Sequence, residues 1–251
     1  MISEKYEFKG YNDKLLSGRI EKPDGEIKAY ALFAHCFTCS KNFVPSKTIT
    51  SSLAERGIAT LRFDFTGLGN SQGDFENTNF SSNIEDLKNA YYSLYQTHKT
   101  PKLVIGHSLG GAAVLAASAY MPDVTAVVCL AAPYDPAHVL HLFEDKIDKI
   151  KEKEKLSVNL FGRKFTITNK FLQDLNSQNQ SERISSISQA LLIMHSPTDE
   201  IVGIENARKI YEAAKHPKSF ISLDGIDHLI LNKDDADYVA ALLASWASRY
   251  V

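Results

Sequence analysis

The segment PKLVIGHSLGGAAVLAASAYM, residues 101–121, limits the fold of this chain more than any other. A short apolar strand, Leu103 to Ile105, runs straight into Gly106-His107-Ser108-Leu109-Gly110, and the small residues from Leu109 onward read as a helix. This is G-x-S-x-G between a strand and a helix. Such a sharp reversal strains the central residue and stands its side chain clear at the carboxyl end of the strand. Ser108 is therefore expected to be presented rather than packed away. Gly106 and Gly110 leave room for strand and helix to cross. The N–H of Leu109, at a helix N-terminus, is suited to negative charge and supplies half of an oxyanion hole.

The rest of the chain alternates in a matching rhythm. Residues 6–9 and 15–21 read as an opening antiparallel pair of edge strands. A buried strand at Lys28–His35, another at Ile58–Phe63, a further, apolar one at Val124–Ala131, a strand at Ala190–Met194 and a last one at Ser219–Leu223 alternate with helical patterns. The helices fall at Pro45–Arg56, Asn79–His98 (N-cap Asn79 or Ser81), Gly203–Ala214 and Asp234–Arg249. Strands with no polar face require cover on both sides, so the expected class is α/β, a mostly parallel, doubly wound central sheet flanked by helices.

Between Pro133 and Arg183 the rhythm breaks. A charge-dense helical stretch over Phe143–Lys155, a hairpin around Phe161-Gly162-Arg163 and a helix over Thr168–Asn176 make this block too structured for a linker. The expected division is a core domain of residues 1–132 and 184–251 with a lid or cap insertion at 133–183. Leu140, Leu142, Phe143, Leu160, Phe161, Phe165 and Phe171 are its expected apolar underside.

A net charge of −2 and the lack of a basic run argue against nucleic acid or an anionic membrane as partner; a small-molecule ester substrate is expected, and a homodimer is compatible with the composition. The N-terminal residues lack the charged start and apolar core of a signal peptide, and the odd count of three cysteines fits a reducing compartment, so a cytoplasmic location is expected. Cys36 and Cys39 have C-x-x-C spacing without a second pair, and read as two small, semi-buried residues beside a loop rather than a zinc or redox site.

A serine hydroxyl needs an imidazole to take its proton and a carboxylate to hold that imidazole. Ligand sites in such sheets lie beyond the carboxyl ends of the strands. Of eight histidines, His228 sits in the loop after the last strand and is the expected base. His35 and His195 end strands and read as hydrogen-bonding supports, and His107 points away inside the turn. His98, His138, His141 and His216 read as surface residues. Asp199, after a buried strand and between Ser108 and His228 in the chain, is the expected acid, ahead of Glu200, Asp224 and Asp227. The second oxyanion donor belongs in the loop after the His35 strand, at the Phe37 N–H, opposite Leu109 N–H.

Through G-H-S-L-G-G, H-C-F-T-C, D-F-T-G-L-G-N-S, S-P-T-D and G-I-D-H, the chain resembles the α/β-hydrolase superfamily over nearly its whole length. His35-Cys36-Phe37-Thr38 is similar to the H-G-F-T loop of cinnamoyl and feruloyl esterases, and to the hydrolase part of proteins fused to an OsmC-like domain. The resemblance implies a Ser108, Asp199, His228 triad, an oxyanion hole of Phe37 and Leu109, and a lid over residues 133–183. It departs from the pattern at Cys36, where glycine is commoner, and the residues up to Val251 include no OsmC-like part. Asp64 to Ser71 lacks the lysine and helix start of a phosphate loop and reads as a structural turn.

The expected function is that of a serine carboxylester hydrolase cleaving small to medium acyl or cinnamoyl-type esters through an acyl-enzyme, with no cofactor and no metal. A thioesterase or peptidase using the same triad, and a non-catalytic ligand-binding protein of this fold, are the alternatives.

Overall fold

Strands without a polar face have only one stable place, the middle of a covered sheet, and the computed structural model, which describes residues 1–251, puts them there. The chain begins with the antiparallel pair β1 (Ile2–Lys9) and β2 (Leu15–Lys22), then β3 (Ala29–Ala34), α1 (Val44–Glu55), β4 (Ile58–Phe63), α2 (Phe80–Thr97), β5 (Pro101–His107), α3 (Leu109–Ala117) and β6 (Ala126–Leu130). After a run of 3-10 turns at Pro136–Lys146 come α4 (Ile147–Lys153), the hairpin β7 (Lys155–Leu160) and β8 (Arg163–Thr168), α5 (Asn169–Asn176) and α6 (Gln180–Ser186). The final elements are β9 (Ala190–His195), α7 (Glu205–Ala213), β10 (Lys218–Ser222) and α8 (Lys233–Ala247).

Eight strands form the main sheet in the order β1-β2-β4-β3-β5-β6-β9-β10. Only the β1–β2 and β2–β4 pairings are antiparallel. Every residue of β3, β4, β6 and β9 is buried. Alternation sorts their side chains to two faces: Ala31 and Phe33 of β3 meet α1 and α8 residues in one apolar cluster, while Tyr30 and Leu32 join the larger cluster under α2 and α3. Register pairs Leu32 with Leu61 on one side and Val104 on the other. No helix is long and apolar enough to cross a membrane.

Asn79 caps α2, accepting from Ser82 N–H at 2.8 Å while the Ser82 hydroxyl takes the Asn79 N–H at 2.9 Å, a reciprocal capping box. Ser81, the other candidate cap, instead donates to Asp174 of α5. The charged stretch expected as one helix over Phe143–Lys155 divides. Phe143 leaves helical geometry at φ −148° and its ring is buried, and α4 starts only at Ile147. Within residues 133–183, Phe143, Leu160, Phe165 and Phe171 are core residues of the larger cluster. Phe161, at the hairpin tip, is 64% exposed.

Asp86 on α2 ties three segments together. Its carboxyl, fully buried, accepts from Tyr11 N–H (2.7 Å), Thr66 N–H (2.8 Å) and the Thr66 hydroxyl (2.9 Å). Desolvation outweighs these bonds and pushes the carboxyl up to about 6. A native value above the unfolded one, about 4, means that ionising Asp86 costs folding stability: the cost is absent below about pH 4, grows between about 4 and 6, and is complete above. Asp86→Asn cannot ionise but loses an acceptor oxygen, so it should destabilise the protein by roughly 1–3 kcal/mol at low pH. The difference from wild type should shrink as pH rises from 4 to 7 in urea-unfolding curves; a pH-independent difference would contradict the raised value.

Candidate active site

Ser108 is the single residue between β5 and α3, at φ 55° and ψ −124°. Only a left-handed backbone turns the chain this sharply, and it aims the side chain away from the sheet. The glycines answer to contact distance. A Cβ on Gly106 would sit 2.2 Å from the Gly110 carbonyl oxygen, and one on Gly110 2.4 Å from that of His35. Helix α3 is thus seated on bare backbone.

The structure brings three distant segments together at this point. His228 Nδ1 donates to Asp199 Oδ2 at 2.7 Å, and the Ser108 hydroxyl lies 3.0 Å from His228 Nε2. Because the carboxylate can only accept, the proton of neutral His228 belongs on Nδ1, and Nε2 is left to accept from Ser108. Burial alone would raise the Asp199 carboxyl, but hydrogen bonds from His228 and from the N–H groups of Val202 (2.8 Å) and Ile201 (2.9 Å) hold it below the ordinary value. The rival carboxylates Glu200, Asp224 and Asp227 are exposed and make no bond to His228.

Two further histidines serve this chain. His107 does not point idly away: its Nε2 donates to the His228 carbonyl at 2.7 Å, fixing the backbone of the loop that carries the imidazole. Complete burial, reinforced by the nearby His228, pushes His107 down to about 3, so it stays neutral. His195 donates from Nε2 to the Val202 carbonyl at 2.6 Å and lies 3.5 Å from Asp199, bracing the turn that presents the carboxylate. The sequence pattern contains no signal for the first contact, which joins residues 121 apart. His35 caps the end of β3 through Nδ1 to its neighbour's carbonyl, Cys36 O, at 2.8 Å.

After β3 the chain makes a four-residue turn, closed by Cys39 N–H to Cys36 carbonyl at 3.1 Å, with Thr38 at φ 58°. The Phe37 N–H is free of protein hydrogen bonds, and Phe37, Leu109 and Ser108 border one cavity. One expectation is overturned here. Cys36 and Cys39 are joined in a disulfide, because the turn brings their Cα atoms to 5.3 Å, within bridging range. With only Cys129 left free, the odd count no longer speaks for a reducing compartment.

The other end of this loop is pinned by charge. Asp64, at the end of β4 and wholly buried, accepts from both the Lys41 N–H and Lys41 Nζ at 2.6 Å and from Asn70 N–H at 2.9 Å. A Cβ on Gly69 would fall 2.2 Å from Asp64 Oδ2. The Asp64–Ser71 segment is accordingly a structural turn around its own carboxylate. Arg62 extends the network, donating to the Lys41 carbonyl and pairing with Glu21 at 2.6 Å.

The cavity at Ser108 measures about 270 Å³ and is mainly apolar, with Phe43, Leu142, Leu160 and Phe161 among its walls. Val139, Ile201 and Leu229 also line it, and none of its residues is Asp or Glu.

The family model described as serine aminopeptidase, S33, matches residues 25–185. This chain belongs to that family. A crystal structure of the esterase domain of a Rhodothermus marinus protein is 44% identical, covering 100% of this chain and 99% of that one, at a TM-score of 0.81. Est1E from Butyrivibrio proteoclasticus, solved with ferulic acid bound, shares the fold at 18% identity and TM-score 0.79, over 97% of this chain and 98% of its own. The uncharacterized protein YfhR of Salmonella typhimurium is 26% identical over 206 residues, 80% of this chain; the match spans only 65% of that relative's length. The chain is thus a member of the α/β-hydrolase superfamily, with the fold that its sequence resembles.

In this S33-family protein, Lys41→Met leaves Asp64 buried without its cation. The variant should lose about 3–5 kcal/mol of stability, read by denaturant unfolding; a loss under about 1 kcal/mol would show that the pair does not hold the loop.

Proposed function

We propose that this protein is a serine carboxylester hydrolase acting on small to medium acyl or aromatic, cinnamoyl-type esters. The hydrogen-bonded line Ser108–His228–Asp199 is the observation that carries this reading. In the proposed reaction Ser108 Oγ attacks the ester carbonyl carbon and passes its proton to His228 Nε2. The carbonyl oxygen takes the negative charge and is met by the N–H groups of Phe37 and Leu109, a type of contribution worth about 3 kcal/mol per donor. His228 returns the proton to the departing alcohol oxygen as the carbon–oxygen bond breaks. Water, deprotonated by the same imidazole, then attacks the acyl-enzyme and frees Ser108. Asp199 holds the imidazole in the tautomer that makes both transfers available.

The family's description as an aminopeptidase favours a second reading, peptide-bond hydrolysis with the same groups. An aminopeptidase must bind an α-ammonium group. The cavity offers no carboxylate for it, while its one formal charge is the cation Arg163, so the ester reading is preferred. The mostly apolar wall suits an acyl or aryl group. We propose further that residues 133–183 act as a lid, because Leu142, Leu160 and Phe161 reach the cavity from that segment.

Release of p-nitrophenol from acetate and butyrate esters tests the mechanism. Ser108→Ala and His228→Ala should each lower kcat roughly ten-thousand-fold or more, with folding intact by circular dichroism. Full turnover by Ser108→Ala would end this reading. For the lid, Phe161→Ala should change stability by under about 0.5 kcal/mol, since the ring is exposed. It should lower kcat/KM for octanoate esters roughly tenfold while sparing acetate; equal effects on both chain lengths would count against a lid.

A further inference from the structure

Resting on the ester-hydrolase reading, we propose that Arg163 makes this site selective for esters that carry a second, ionised carboxylate. Arg163 opens β8 at the tip of the 155–168 hairpin and is the only Lys, Arg, Asp or Glu bordering the Ser108 cavity. It forms no ion pair with any carboxylate of the protein. Arg163 is solvent-exposed at the rim of this cavity, so its charge is not committed to the fold and is open to an anion that enters the site.

The guanidinium is nevertheless held in place. Nη1 donates to the Thr38 carbonyl at 3.0 Å, and the group lies over the Phe165 ring, 5.0 Å from its centre. These contacts fix the plane of the group and leave Nε and Nη2 without protein acceptors. Two adjacent donors in one plane match the two oxygens of a carboxylate. Since the side chain is already ordered, binding an anion costs little further rotamer entropy.

Position also matters. Thr38 follows Phe37, the proposed oxyanion donor, so the cation stands at the edge of the site where the ester carbonyl would lie. His138 and His141 border the same cavity with their rings 4.5 Å apart, and His138 Nε2 is spent on the Ile201 carbonyl at 3.0 Å. Neither histidine brings a negative charge that would compete for Arg163.

Two matched ester pairs separate charge from chain length: monoethyl adipate against ethyl hexanoate, with the carboxylate on the acyl side, and 5-acetoxypentanoate against pentyl acetate, with it on the alcohol side. Binding is measured by calorimetry on the Ser108→Ala background, where no turnover intervenes, and hydrolysis on the active protein by acid release. Arg163→Gln should weaken binding of at least one charged ester about tenfold or more while leaving its neutral partner within about twofold, and Arg163→Lys should restore part of the loss. The same selective loss should appear in kcat/KM. Charged esters bound equally well with and without Arg163, or charged and neutral esters weakened alike, would overturn the proposal and leave Arg163 as a latch on the Thr38 turn. Absence of hydrolysis of all four esters by the active protein, with charge-selective binding intact, would instead fall on the ester-hydrolase reading alone.

Discussion

The architecture turns on a backbone-to-backbone contact. Helix α3 approaches β5 and the end of β3 so closely that Gly106 and Gly110 have no space for a methyl group. That approach bends the chain at Ser108 into its left-handed conformation and sets the start of α3 beneath the cavity. The strain at one residue is small beside the burial of the five central strands that enforces it. The Ser108 hydroxyl is therefore placed by the sheet itself rather than by a loop that must find its conformation.

Around this point the protein uses charge and neutral imidazole for different tasks. Beneath the turn after β3, the buried Lys41–Asp64 and Arg62–Glu21 pairs hold backbone in place, each ion answered by another. Such pairs add little net stability against an apolar alternative, but removing one member leaves the other stranded. His107 and His195, by contrast, are kept uncharged by burial and act as rigid N–H donors to carbonyls of the His228 and Asp199 loops. A charged histidine in either place would repel protonated His228 at the moment the proposed mechanism needs it.

The hairpin and turns of residues 133–183 join the two tasks. Their larger apolar residues are structural: Phe165 packs edge-on against Phe75, and Phe171 stacks on Phe37. The segment is thus part of the wall behind the proposed oxyanion donor. Apolar periodicity could not separate the residues that build this wall from those, such as Phe161, that remain free at its tip.

Local signals made much of this protein legible. Apolar runs with no polar face specified a covered parallel sheet, G-x-S-x-G between strand and helix specified the turn at Ser108, and loop position singled out Asp199 and His228. Each depends on properties of neighbouring residues: side-chain periodicity, steric need for glycine, or the edge of the sheet on which a loop emerges. Tertiary structure alone decided the rest. The bond between His107 and the His228 carbonyl, the pairing of Lys41 with Asp64 and the seat of Arg163 against Thr38 have no periodic or compositional signature. They exist because hydrogen bonds and ion pairs act over about 3 Å, a separation that only the folded chain can set between segments lying up to 125 residues apart.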